Sequence, residues 1–395
     1  MLNFSGLPRS ALLICLLQLS YSLCISMLIP LMSFFIVEGL GAEPWQVGLY
    51  TGLLLPLTLL ANRWVGERLD KGARVRRLLL VSSFALLSVT LVLTQVSSLL
   101  GLITFVIPFM VLANTGAGIV FTFARFFAEA RSLDIARVNA WVRMSVSLGW
   151  MVGPALSYTI VGQQGFQTAF LVAFLLGFGF LALGWFVVPG DFHRQKSSDT
   201  PLDDGSINYG LLIAGLACVG FTATNSLFVS SMPLFFVKET GLPTSTPGIS
   251  LAVKCFMEVL VIFASIPLAR KVGPRPVLMT SALMASGSML LFAQVETVTH
   301  VVLVSILEGA YYGLFAGVAI TFVQGFAPDR PGRATAVYMN SLFLGGVIGS
   351  VSMGFIASAA NYKTVLYVAS ISSLVALVVI AVTYKVKPRK TLMRP

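Results

Sequence analysis

The sequence predicts an all-α membrane protein of twelve transmembrane helices arranged as two six-helix halves. Three observations predict it. Apolar residues make up 57% of the 395-residue chain and charged residues 10%, with a mean hydropathy of +0.90, whereas about a quarter of the residues of a soluble domain are charged. Twelve apolar stretches each approach or exceed the roughly 20 residues that a helix needs to cross the hydrocarbon core. The last six stretches echo the first six. Pro30-Leu31 with Phe34-Phe35 recurs as Pro233-Leu234 with Phe235-Phe236, an offset of 233 − 30 = 203. Arg137, Gly149 and Gly153 recur as Arg333, Gly345 and Gly349, each offset by 196 (333 − 137). Internal repetition of this kind marks secondary transporters, whose pathway lies between the repeats.

The stretches run, in order, at 8–37, 45–66, 78–97, 99–126, 137–161, 166–188, 209–237, 245–270, 277–293, 299–324, 334–359 and 363–384. The first is too long for a signal-peptide core and shows no cleavage pattern around Cys24, so it reads as a retained helix. The third, sixth, ninth and twelfth carry no charge at membrane depth and are expected at the lipid-facing periphery. Charges at depth fall elsewhere: Arg143 in the fifth stretch, Lys254 and Glu258 in the eighth, Glu308 in the tenth. The halves are 1–188 and 209–395, the second ending in a basic tail. Between them, 189–208 is a polar tether with Ser197-Ser198, Pro201 and Asp203-Asp204.

The net charge of +11 is distributed by topology. Alternate loops hold Arg68, Lys71, Arg74, Arg76 and Arg77, then Arg131, Arg194, Lys196, Lys271, Arg275 and Arg330, and the tail from Lys385; the opposite loops hold only Lys238 and Lys363. That asymmetry places both termini and the tether in the cytoplasm. The partner of this basic surface is the bilayer, and nucleic acid is not implied. Cys15, Cys24, Cys218 and Cys255 lie inside apolar stretches at no metal-ligand spacing, so they read as packing residues without a disulfide. The two histidines, His193 and His300, sit at a loop and a helix end, which argues against a histidine relay or metal site. No phosphate-binding loop occurs, and Gly116-x-Gly118 lacks a third glycine, so no nucleotide or other cofactor is expected.

An ionised side chain at mid-membrane costs roughly 2.5–3.5 kcal/mol on insertion scales, so each needs a partner, water or a proton. Glu258 and Glu308 lie near the midpoints of their stretches. Burial favours a protonated carboxyl and hydration an ionised one, so either can couple transport to a proton gradient, Glu258 above all. Lys254 lies four residues before Glu258 and can pair with it locally, which would weaken the case for Glu258 as a proton site. Arg143, Ser147, Trp150 and Pro154 fall on one helical stripe, offering a guanidinium for hydroxyls and an indole to stack on a ring. Gln18, Tyr21, Asn114, Asn225, Tyr311, Tyr312 and Asn340 suit a neutral polyhydroxyl ligand, although each also suits a helix–helix hydrogen bond. Gly149-xxx-Gly153, Gly313-xxx-Gly317 and Gly345-xxx-Gly349 read as close-packing surfaces.

The loop after the second stretch, Gly66-Glu67-Arg68-Leu69-Asp70-Lys71-Gly72-Ala73-Arg74, resembles the G-x-x-x-D-[RK]-x-G-R signature of the major facilitator superfamily, with the second glycine displaced by one. Its counterpart, Arg270-Lys271-Val272-Gly273-Pro274-Arg275, keeps the glycine but has Arg270 where the acid is expected. Gly149-xxx-Gly153-Pro154 is similar to the superfamily's efflux-type G-x-x-x-G-P signature. A narrower resemblance, to the sugar efflux transporter family, runs through Pro30-xx-Ser33-x-Phe35, Gly41-Ala42-x-Pro44, Leu112-Ala113-Asn114-Thr115, Phe123-Ala124-Arg125, Ser147-Leu148-x-Trp150, Asn225 with Met232-Pro233-Leu234, Gly241-Leu242-Pro243, and Pro331-Gly332-Arg333 through Asn340-Ser341.

These resemblances imply the major facilitator fold and a monomeric multi-pass protein of a bacterial inner membrane. The implied activity is export of small sugars or related polyol or glycoside compounds by proton antiport. They imply gating roles for Asp70, Arg74, Arg125, Gly149, Gly153 and Pro154. Substrate contact falls to Gln18, Tyr21, Asn114, Arg143, Trp150, Asn225, Tyr311 and Asn340, and proton coupling to Glu258, Glu308 and Lys254. A drug-type antiporter of the same fold is the nearest rival, and a membrane-embedded enzyme or receptor the more distant one. The orientation is directly testable. A cysteine placed at Ser198 should resist an impermeant thiol reagent applied to intact cells, and efficient labelling there would reverse the topology.

Overall fold

The computed structural model describes residues 9–133, 135–192, 208–327 and 331–385. The tether from His193 to Ile207, Arg330, the tail from Val386, and the side chains of Asp70, Arg137 and Arg333 lie outside the described residues. Among the described residues every regular element is helical. A backbone in hydrocarbon has no water to bond, so an apolar chain must satisfy its own N–H and C=O groups, and helices do this within each segment.

Helix α1 (Arg9–Leu28) is followed by the short α2 (Leu31–Phe34) and a π-helical turn, Phe35–Gly39. Next come α3 (Pro44–Asp70) and α4 (Val75–Leu93), then α5 (Leu99–Gly101), a second π turn (Leu102–Val106) and α6 (Ile107–Ala113), followed by α7 (Gly116–Ala130) and α8 (Ile135–Val187). After the tether, α9 (Tyr209–Leu234) runs into a third π turn, Phe235–Glu239. The remaining helices are α10 (Thr246–Val272), α11 (Pro274–Phe292), α12 (Val298–Gln324), α13 (Pro331–Ala359) and α14 (Tyr362–Val382). The chain forms two compact units, Met1–Ala42 with Leu53–Pro201, and Glu43–Gly52 with Leu202–Pro395.

Ten segments among the described residues are long and apolar enough to cross a membrane, against twelve predicted stretches. The difference has two physical sources. Trp141–Val187 counts as one segment of 47 residues, about 70 Å of helix at 1.5 Å per residue. Gly165 breaks it at φ 84°, ψ 174°, so two helices are joined there. The other source is α3, which is 27 residues long but ends in Asn62, Arg63, Glu67, Arg68 and Asp70, and these dilute its hydropathy.

The repeat is visible inside each unit. The π turns at Phe35 and Phe235 and the turn glycines Gly41 (φ 66°) and Gly241 (φ 67°) are 200 residues apart (235 − 35). A Cβ on Gly149 would lie 2.5 Å from Ser22 Cβ on α1, and one on Gly345 would lie 2.5 Å from Val219 O and 2.8 Å from Thr222 Cβ on α9. The same glycine therefore meets the same turn of the same helix in both units. The Arg76 guanidinium lies 3.9 Å from the Trp185 ring centroid, and Arg275 lies 5.1 Å from that of Tyr384; both members are displaced by 199 (275 − 76 and 384 − 185).

This register corrects the one suggested by Pro30 and Pro233, whose offset of 203 leaves them three residues apart on superposed helices. Their settings differ accordingly. Pro30 sits at the break between α1 and α2, where its carbonyl accepts a hydrogen bond from Tyr158 Oη at 2.7 Å. Pro233 lies inside α9.

Serines on α4 and α11, whose stretches carry no charge at membrane depth, bond across to neighbouring helices. Ser82 Oγ donates to Ala113 O at 3.1 Å, Ser281 Oγ to Tyr311 O at 2.7 Å, and Ser286 Oγ pairs with Ser370 Oγ at 2.7 Å. A hydroxyl needs a partner in hydrocarbon, so it draws its helix into the bundle.

Adjacent glycines give a test of this packing. A methyl group at Gly345 meets backbone at 2.5 Å, whereas one at Gly346 meets nothing within 4 Å. Gly345→Ala should cost about 1–3 kcal/mol, as overpacking does, and lower the melting temperature in detergent. Gly346→Ala should leave it unchanged or slightly higher, since alanine is the better helix former.

Candidate functional site

The charged centre of the second unit is built on the contact between α10 and α12. Gly309, Gly313 and Gly317 recur once per turn along α12 and let its backbone approach α10. A Cβ at Gly309 would collide with Lys254 O, and one at Gly313 would lie 2.8 Å from Glu258 O. One turn earlier, Ser250 Oγ and Ser305 Oγ are 2.8 Å apart. This register sets Glu308 opposite Lys254, and their charged atoms, Nζ and Oε1, are 2.7 Å apart. The Lys254 side chain is 5% exposed and that of Glu308 0%.

Lys254 is held from three sides. Besides Glu308, its ammonium donates a short hydrogen bond to Asn225 Oδ1 on α9 and sits 4.9 Å from the Tyr312 ring centroid. The amide and the ring face both favour a cation. Glu308 is held far less well. Neither carboxylate oxygen has a correctly directed hydrogen bond among the described residues, and the Tyr311 hydroxyl beside it on α12 has none either. What holds Glu308 is the Lys254 ammonium at 2.7 Å, an ion pair. Glu258, half-buried one turn along α10, acts electrostatically on Glu308.

The sequence allowed a local pair of Lys254 with Glu258; the structure pairs Lys254 with Glu308. Glu258 satisfies the i, i+4 spacing on α10, whereas Glu308 stands on α12, beyond the reach of any spacing rule. The decisive signal is the stripe Ser250, Lys254 on α10 against Ser305, Glu308, Gly309 on α12, which only the contact between the two helices reveals.

The remaining candidate residues are spread over both units. In the first, Gln18 Nε2 donates to Ser22 Oγ at 3.0 Å, Tyr21 Oη to Ala113 O at 3.1 Å, and Asn114 Nδ2 to Thr58 Oγ1 at 3.4 Å. These groups serve helix packing in this conformation, and Gln18 and Tyr21 are buried. Arg143 is exposed and Trp150 half-buried on α8, the helix that also carries Gly149 and Gly153. Those glycines lie against α1, where Ser26 Oγ donates to Gly149 O at 2.8 Å. Pro154 is buried in α8, its carbonyl accepting from Ser157 Oγ at 3.1 Å. Arg125 pairs with Glu129 at 2.9 Å on an exposed surface, Arg74 precedes α4 without a side-chain capping bond, and Asp70 ends α3. In the second unit Tyr311 is fully buried and Asn340 is exposed on α13. Of the candidates, Asn225, Lys254 and Glu308 are brought into direct contact. Among the described residues no cluster of three or more His, Cys, Asp or Glu could hold a metal.

The sequence model of the Major Facilitator Superfamily matches residues 14–252 and 211–394. The chain belongs to that superfamily. It is a membrane transporter, and its relatives agree with the narrower resemblance. Sugar efflux transporter A of Escherichia coli (strain K12) is 23% identical over 352 residues, covering 88% of this chain and 89% of the relative. Sugar efflux transporter B of Salmonella typhimurium (strain LT2) is 25% identical over 355 residues, covering 86% and 87%. Among solved structures, the nucleoside transporter NupG superposes with a TM-score of 0.79 at 14% identity over 96% of this chain and 100% of NupG. A bacterial homologue of the iron transporter ferroportin gives 0.74 at 17% identity, covering 96% and 99%. At these identities the likeness shows the fold.

The ion pair has a measurable energetic signature. Lys254→Met and Glu308→Gln each strand a buried polar partner and should each cost about 3–5 kcal/mol. The double variant removes both charges and should cost clearly less than the sum. Strict additivity of the unfolding free energies would mean that the pair contributes no coupling.

Proposed function

We propose that the protein exports a small sugar, or a related polyol or glycoside, by alternating access coupled to proton antiport. Similarity along 86–88% of the chain to transporters named for sugar efflux supports the substrate class. The buried Lys254–Glu308 pair, an ionisable couple at membrane depth with a carboxylate poorly solvated by the protein, supports the coupling. Arg143, Trp150, Asn225 and Asn340 supply hydroxyl-binding and ring-stacking groups, while Glu258, Glu308 and Lys254 form the coupling set. Asp70, Arg74, Arg125 and the Gly149-Gly153-Pro154 segment change contacts as the two halves, 1–188 and 209–395, alternate. The protein works as a monomer in a bacterial inner membrane, with both termini cytoplasmic.

Counterflow in proteoliposomes tests the reading. Labelled lactose and methyl-β-glucoside should exchange against the unlabelled sugar, and an imposed proton gradient should drive net accumulation of each. Accumulation of lipophilic cations that sugars fail to inhibit would instead identify a drug-type exporter.

A further inference from the structure

The outer faces of α4 and α8 in the first unit form an apolar surface that ends in two cations. We propose that an anionic phospholipid binds there, its phosphate against Arg76 and Arg77 beside the Trp185 ring and its acyl chains along the two helices. This site goes beyond the transport reading and does not depend on it.

The two helices run side by side in opposite directions. A Cβ on Gly184 would lie 3.0 Å from Leu79 Cδ2, and one on Gly177 would lie 3.3 Å from Leu87 Cδ2. The Val75 N–H donates to Phe192 O at 3.1 Å, which ties the start of α4 to the chain leaving α8. Away from this contact each helix exposes apolar side chains at helical spacing. On α4, Val81, Phe84 and Leu91 follow Arg77 at steps of 4, 3 and 7; on α8, Leu171, Leu175 and Phe178 lead to Trp185 by the same steps. Each stripe spans 14 residues (91 − 77 and 185 − 171), about 21 Å at 1.5 Å per residue. That exceeds the depth of one leaflet, half of the roughly 30 Å core.

The polar end carries cations whose donors are unspent. The Arg76 guanidinium lies 3.9 Å from the Trp185 ring centroid, and among the described residues it makes no hydrogen bond or ion pair. Arg77 is exposed and has no such contact either. The glutamates of this end are already paired, Glu67 with Arg63 at 3.1 Å and Glu129 with Arg125 at 2.9 Å, and Asp191 has a partner of its own. A ring under the guanidinium fixes its plane and leaves its N–H edges for the two oxygens of a phosphate. Tryptophan at a helix end suits the headgroup level. Arg68, Lys71 and Arg74 add positive charge nearby, which favours a net anionic headgroup over a zwitterionic one.

The second unit shows what the same place looks like without a ligand to hold. Arg275 and Tyr384 stand where Arg76 and Trp185 do, but Arg275 is consumed by the fold. Its Nε donates to Thr383 Oγ1 and its Nη2 to Thr383 O, both at 3.1 Å, and the Phe326 ring centroid is 5.6 Å away. Pro276 replaces Arg77 (276 − 77 = 199). Leu283 and Leu290 of α11 match Phe84 and Leu91 in place and in exposure. The apolar stripe on this helix is therefore kept in both units, as any bilayer-facing helix requires, while spare cations occur only in the first. They serve no contact within the protein.

Native mass spectrometry of the delipidated full chain provides the test, with dioleoyl phosphatidylglycerol, dioleoyl phosphatidylcholine and glycerol 3-phosphate as probes. Phosphatidylglycerol should bind most tightly. Arg76→Gln and Arg77→Gln should each weaken it about fivefold, the factor for one basic residue at an anionic membrane surface, and Trp185→Leu should weaken it as well. Because Arg77 has no described partner, its variant should fold as the wild type does, so the proposal stays open to refutation if Arg76→Gln misfolds. Lys271→Gln, which removes the same charge from the basic loop of the second unit, should change nothing.

Equal weakening in Lys271→Gln would mean attraction by net charge alone and would overturn the site. Phosphatidylcholine bound as tightly as phosphatidylglycerol would overturn the anionic headgroup. Glycerol 3-phosphate bound as tightly as the lipid would make the occupant a free phosphate compound. Unchanged affinity in Arg77→Gln would remove that residue from the head site, and unchanged affinity in both arginine variants would overturn the proposal.

Discussion

A lysine and a glutamate withdrawn from water inside one helical bundle are an expensive arrangement. Desolvating two ions costs several kcal/mol each even after relaxation, and their attraction offsets this only where the surrounding geometry is good. Around Lys254 it is good, with Asn225 Oδ1, the Tyr312 ring and Glu308 all turned toward the ammonium. Around Glu308 it is not. Much of the second unit is arranged to make this contact: Gly309 and Gly313 remove the side chains that would hold α12 away from α10, and the Ser250–Ser305 pair fixes the register. A hydrophobic pair of the same volume would pack as well or better, so the retention of two charges points to function more than to stability.

The asymmetry within the pair is what gives it a direction. A cation satisfied from three sides and an anion satisfied from one respond differently to the loss of their contact: the lysine keeps Asn225 and the Tyr312 ring, whereas the glutamate becomes a lone buried charge that a proton would neutralise. On this account the poor solvation of Glu308 is the property that links a side-chain movement to a proton, and the glycine-lined α10–α12 contact keeps that solvation poor.

Much of the fold was legible in the sequence because bilayer crossing imposes a length and a polarity that composition alone reveals. The repeat was legible as well, though in the wrong register at one point. Pro30 and Pro233 are similar in local sequence, but the π turns and Gly41/Gly241 fix the true offset at 200. The break at Gly165 was legible too: Gly162-Gln163-Gln164-Gly165 separates the fifth stretch from the sixth, and two helices join at Gly165. Residues of the centre, Asn225, Lys254 and Glu308, were each visible as polar groups at depth. Their convergence was not, because it depends on which faces of α9, α10 and α12 meet. The bonds of Ser82, Ser281 and Ser286 were not legible for a related reason: serine looks unremarkable in an apolar stretch until its hydroxyl is seen to bridge two helices.

The most direct measurement is infrared difference spectroscopy of the full chain in lipid, with isotope-labelled glutamate, during acidification. The account predicts a protonated-carboxyl band that is absent in Glu308→Gln. A band unchanged in Glu308→Gln would contradict it.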